Sequence, residues 1–166
     1  GFNSSGFATE ASNYTIGSMG SEENAPGPIA WWKLDEGVDD TCPGGSNDVC
    51  DSTQNGNDGA KSNADWKTEE LCLSGKCLWF DQGDTINFGD RDYLDFDRTD
   101  AFSVSLWMKV PHAGIYTLVS KQNSSSPYEG WNIQTGSGDY IYFQLVNTYG
   151  SNTIEIRTSN GLDYAN

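Results

Sequence analysis

Between Phe102 and Val110 every even-numbered residue is apolar (Phe102, Val104, Leu106, Met108, Val110), while Ser103, Ser105 and Lys109 between them are polar. A period of two puts alternate side chains on opposite sides of an extended chain, so this stretch predicts a β-strand with one buried face. Trp107 breaks the pattern: it is a large aromatic on the side that should face outward. Upstream, the runs 78–81 and 85–89 flank Gln82-Gly83-Asp84, which predicts strand, tight turn, strand. The run 29–34 (IAWWKL) is the first firm strand candidate. Downstream, 116–121, 130–135, 140–146 and 153–158 follow one another with turn-rich joins. Short strands at this spacing predict an all-β, antiparallel sandwich or barrel. The acidic stretch 91–97 is too short for more than one helical turn.

With 166 residues the chain is long enough for one domain with a real core and too short for two large ones. Aromatics make up 13% of it, and they bury much area per residue in a chain otherwise poor in hydrophobic residues. Residues 1–28 are rich in Gly, Ser and Asn and end at Ala25-Pro26-Gly27-Pro28, which predicts an extended N-terminal arm or linker ahead of a domain spanning 29–166.

The net charge of −15 disfavours nucleic acid and anionic membrane surfaces, since no basic patch can displace counterions. It fits cationic partners, Ca²⁺, or simply an acidic secreted surface. No apolar run reaches membrane-spanning length, so membrane insertion is not expected. Four cysteines (Cys42, Cys50, Cys72, Cys77) in such a chain point to an oxidising, secreted or cell-surface setting. Of the three pairings, Cys42–Cys50 and Cys72–Cys77 are favoured. Pro43-Gly44-Gly45 lets the first loop fold back, and Leu73-Ser74-Gly75-Lys76 reads as a hairpin tip. Zinc is disfavoured, because there is no Cys-x-x-Cys and His112 is the only histidine.

Several motifs in order carry a resemblance. They are Ala30-Trp-Trp-Lys-Leu-Asp-Glu-Gly37, Asp51-Ser-Thr-Gln-Asn-Gly-Asn-Asp-Gly59, Leu78-Trp-Phe-Asp-Gln-Gly-Asp84, Phe88-Gly-Asp90 and Phe102-Ser-Val-Ser-Leu-Trp-Met-Lys109, followed by Leu118-Val-Ser-Lys121 and Gly130-Trp131. The chain resembles the laminin-G-like, concanavalin-A-like jelly-roll family over 29 to about 160. The resemblance implies a two-sheet antiparallel jelly-roll sandwich, often with Ca²⁺ and a carbohydrate or protein ligand. Such domains usually continue with further strands after a segment like Gly161-Leu-Asp-Tyr-Ala-Asn166. The expectation is therefore a sandwich lacking its C-terminal strands, or one completed by another chain, with residues 1–28 as a strand donor or a plain tether.

Three chemistries follow. A hydrolase would need paired carboxylates on one strand, and Ile154-Glu155-Ile156-Arg157 has one; no Gly-x-Ser-x-Gly occurs, so an enzyme is not expected. For calcium, Asp51, Thr53, Asn55 and Gly56 match the opening of an EF-hand loop, but Ser62 stands where its closing Glu should be. Two readings stay open: a turn, or a Ca²⁺ site assembled from Asp51, Asn55, Asp58, Asp81 and Asp84. For ligand binding, if the strands are neighbours, one sheet face displays Trp107, Lys109, Asn132, Gln134, Tyr140, Tyr142 and Gln144. Aromatics beside amides suit sugar rings, with stacking on C–H faces and hydrogen bonds to hydroxyls. They equally suit burial under another subunit. The functional expectation is a non-catalytic recognition or adhesion module for a glycan or cell-surface protein. The alternative is a subunit of an extracellular filament, a homo-oligomer assembled by strand exchange through residues 1–28.

Overall fold

The computed structural model describes residues 27–53, 55–110, 113–159 and 161. The expected arm (apart from Gly27 and Pro28), His112 and residues 162–166 lie outside these. The chain is all-β and antiparallel, with a 3₁₀ turn at Asp92–Leu94 where at most one helical turn was expected. No helix among the described residues is long and apolar enough to cross a membrane. The chain divides into two compact units that part between Gly89 and Asp90.

In the first unit four three-residue strands nest. Strand β1 (Ala60–Ser62) pairs with β4 (Thr85–Asn87), and β2 (Asp65–Lys67) pairs with β3 (Cys77–Trp79) inside it. The turn expected at Gln82-Gly83-Asp84 forms, with Asp84 N–H donating to Asp81 C=O at 3.1 Å. It does not join the strands on either side of it, however. Those strands pair with β2 and β1, so the turn interrupts one arm of a longer hairpin. The physical reason is that the hairpin tip lies at 68–76, where the Cys72–Cys77 disulfide closes the connection with its Cα atoms 5.6 Å apart. Cys42 pairs with Cys50, Cα atoms 5.2 Å apart, so both favoured pairings form.

The run 29–34 is not a strand; it contributes only the isolated bridge Trp32↔Asp51, and Leu34 turns it aside with φ 58°. Trp32 packs on Phe88 at 4.0 Å between ring centroids, and Val49 and Ala64 of the same unit are wholly buried. Gly59 is what admits Phe88: a Cβ there would lie 2.6 Å from the ring.

The second unit is a four-stranded meander. Strands β5 (Thr117–Gln122), β6 (Gly130–Thr135), β7 (Ile141–Thr148) and β8 (Asn152–Arg157) pair antiparallel in sequence order. Their register sets Trp131 opposite Leu145, Ile133 opposite Phe143, and Phe143 opposite Ile156, which makes one apolar face. Phe96 and Phe102 cover its centre. Phe102 lies 5.7 Å from Trp131 and 5.9 Å from Phe143, and the Trp131 indole N–H donates to Leu94 C=O at 2.8 Å.

The stretch 102–110 departs from expectation. It enters no ladder among the described residues, and only Phe102 reaches the aromatic cluster. Alternation in a sequence reports which side of an extended chain is apolar; it does not supply a hydrogen-bonding neighbour. Val104, Leu106 and Met108 are 38%, 40% and 37% exposed, and Trp107 is 89% exposed.

Candidate functional site

The other face of the β5–β8 sheet is polar and organised. The register places Ser120, Asn132, Gln144 and Glu155 in one row across all four strands. Side-chain amides link along it. Asn132 Nδ2 donates to Gln122 Oε1 (3.0 Å) and to Gln144 Oε1 (3.3 Å), and Gln134 Nε2 donates to the same Gln144 oxygen at 3.3 Å. Gln144 Nε2 donates in turn to Glu155 Oε2 at 2.8 Å, and Gln122 Nε2 reaches Tyr128 C=O at 2.7 Å. Two short series therefore diverge from the Asn132 amide nitrogen, one ending on the Tyr128 carbonyl and the other on the Glu155 carboxylate, and within each series the bonds polarise one another. Asn132 and Gln144 are buried, yet Asn132 Oδ1 has no hydrogen-bond partner, so one acceptor on this face is unspent.

Aromatic rings stand at one end of the row. Tyr142 lies opposite Gln134 on one side and Arg157 on the other. Tyr140 and Tyr142 meet edge to face at 6.4 Å, and the Arg157 guanidinium sits 5.3 Å from the Tyr140 ring. Gly136 makes room for this arrangement, since a Cβ there would collide with the Tyr142 ring.

Of the ligand residues read from sequence, Asn132, Gln134, Tyr142 and Gln144 share this face, and Tyr140 borders it. Trp107 and Lys109 belong to no strand of the sheet. Glu155 and Arg157 were missed as members. The alternation Ile154-Glu155-Ile156-Arg157 was the signal, because it marks two polar side chains on one side of a strand.

All five residues read as calcium ligands take part in hydrogen bonds, the four aspartates as acceptors and Asn55 through its amide nitrogen. The Asp51 carboxylate accepts from Trp31 N–H (3.0 Å), Thr53 N–H (2.9 Å), Thr53 Oγ1 (2.7 Å), Asn57 N–H (3.0 Å) and Asn57 Nδ2 (2.9 Å). Burial raises its pKa, and the bonds from Thr53, Trp31 and Asn57 outweigh that, bringing it down to about 2. Asp58 accepts from Asp51 N–H at 2.7 Å, and Asn55 donates to Ile29 C=O at 2.8 Å. Asp81 and Asp84 serve their own turn: Asp84 Oδ2 accepts Asp81 N–H at 2.6 Å, and Asp81 Oδ1 accepts the Trp79 indole N–H at 3.1 Å.

A different acidic group, Asp90, Asp92 and Asp95, brings its oxygens within 4.8 Å of one another. A cation already serves two of these residues: Lys121 Nζ pairs with Asp90 at 2.6 Å and with Asp95. Burial lowers the Lys121 pKa, but the two carboxylates more than compensate, and the ammonium ends above its ordinary value.

Comparison with protein-family models, with curated proteins and with solved structures finds no match to this chain.

Proposed function

We propose that this chain is a non-catalytic, extracellular recognition module of laminin-G-like, jelly-roll type, and that its ligand is a carbohydrate held on the polar face of the β5–β8 sheet. The observation that carries the reading is the hydrogen-bonded row Gln122–Asn132–Gln144–Glu155 with Gln134, Tyr142 and Arg157 beside it. A sugar offers hydroxyls that both donate and accept, together with C–H faces that stack on rings. The row presents amide and carboxylate acceptors, guanidinium and amide donors, and two tyrosines, and its own bonds hold these groups in place before a ligand arrives. Such preorganisation lowers the entropic cost of binding. The two disulfides support an oxidising compartment and hence a secreted or cell-surface protein.

A glycan array probed with the purified chain tests this. Retention of a defined glycan class is expected, with Tyr142→Ala and Gln134→Ala each weakening it about tenfold, the equivalent of one ring contact or one oriented hydrogen bond. Leu73→Ala, on the disulfide loop and 84% exposed, serves as the control and should bind like the parent. Running the array in calcium and in EDTA separates an ion-dependent lectin from an ion-independent one. If no glycan is retained, or the two face variants bind undiminished, the reading fails.

A further inference from the structure

One unit holds both an unused strand-like segment and an unused strand edge. The segment is 103–110, whose even residues Val104, Leu106 and Met108 stay more than a third exposed and whose backbone joins no ladder among the described residues. The edge belongs to β8, which among the described residues pairs only with β7. Ile154 and Ile156 on its apolar side are 47% and 64% exposed, continuing the face that Phe102 covers at its centre. Proteins usually blunt a free edge with lysine, proline or a covering element. Strand β8 reads Asn-Thr-Ile-Glu-Ile-Arg, with neither lysine nor proline.

We propose that the occupant of the β8 edge is the segment 103–110 of a second copy of this chain, added as a further strand. The pattern of the two segments carries the match. A strand laid beside β8 with Val104, Leu106 and Met108 toward the Ile154 and Ile156 side puts Ser105, Trp107 and Lys109 on the other side, alongside Glu155 and Arg157. Lys109, the sole charge in the segment, then meets the face that carries Glu155, the acidic end of the amide row. Trp107 passes from solvent to a place beside the sheet's polar face. The donor segment stays anchored in its own copy, because Phe102 remains stacked at 4.3 Å on Phe96. Each copy offers one donor and one acceptor, so the association is reciprocal in a closed dimer and head-to-tail in a filament. The charge of −15 on each copy opposes association, so added salt favours it.

This inference does not rest on the carbohydrate reading, and its test does not use a glycan. Sedimentation velocity over a concentration series should show the parent chain associating, more so as salt is raised. Leu106→Pro in the donor and Ile156→Lys on the acceptor should each abolish the associated species. Both positions are exposed, and circular dichroism checks that each variant remains folded. Mixing the two variants should restore association, because one copy keeps its donor and the other its edge. Hydrogen exchange on the unmutated chain gives a second reading: amides of 104–110 and 153–157 should gain protection together as concentration rises. A parent chain that stays monomeric, association that survives both substitutions, a mixture that stays monomeric, or protection that does not follow concentration would each overturn the proposal.

Discussion

Trp131→Ala is expected to cost the second unit about 4 kcal/mol, the range for deleting a large aromatic from a packed interior. Trp131 is 5% exposed, contacts Phe96 and Phe102, and spends its indole N–H on Leu94 C=O. Alanine therefore leaves a cavity under the segment 94–102 and an unpaired carbonyl. Urea unfolding should show the midpoint falling sharply. Trp131→Phe should cost less, about 2 kcal/mol, since it keeps a ring and loses mainly the hydrogen bond. An alanine variant within about 1 kcal/mol of the parent would mean that this aromatic cluster is not the core of the unit.

Asp51→Ala is expected to destabilise the first unit by about 3 kcal/mol, because it strips partners from several donors at once. Asn57 is the critical one. It is wholly buried, and both its backbone and side-chain nitrogens donate to Asp51. Part of this stabilisation should titrate. The folded pKa of about 2 lies below the ordinary 3.8, so the contribution is complete above about pH 4 and disappears as pH falls toward 2. That part is worth about 1 kcal/mol, because solvent screens the field at a half-buried carboxylate. Thermal melts from pH 5 to pH 2 should fall more steeply for the parent than for Asp51→Asn. Parallel slopes would show that Asp51 holds no special place.

Asp51 also shows where sequence reading meets its limit. Oxygen side chains at Asp51, Thr53 and Asn55 followed by Gly56 look like the start of an ion-binding loop. The same spacing lets an aspartate accept from the residue two places on, and Thr53 N–H does so. Choosing between ion and turn depends on donors 20 and 6 residues away, Trp31 and Asn57, which local spacing cannot foresee. The Lys121 pairs with Asp90 and Asp95 are hidden for the same reason, as they join positions 31 and 26 residues apart.

The β5–β8 strands were legible to within two residues, because each ends at a turn signal and β6 and β8 alternate. Pairing β6 with β7 then followed from their short join, and with it the shared face of Asn132, Gln134, Tyr142 and Gln144. The disulfides were legible because their loops are short and flexible. The two runs that read most strongly as strands, 29–34 and 102–110, were the ones that misled. Both are rich in large apolar residues, and among the described residues neither has a pairing neighbour beyond a single bridge.

The order β5-β6-β7-β8 carries a kinetic consequence. Every pairing in the sheet joins strands consecutive in the chain, so each step closes only a short loop and the entropic barrier stays low. Assembly can then proceed strand by strand as the polypeptide leaves the ribosome, with β8 the last to be laid down. The β8 edge is thus the youngest surface of these four strands, formed when the donor segment of the same chain has long since emerged.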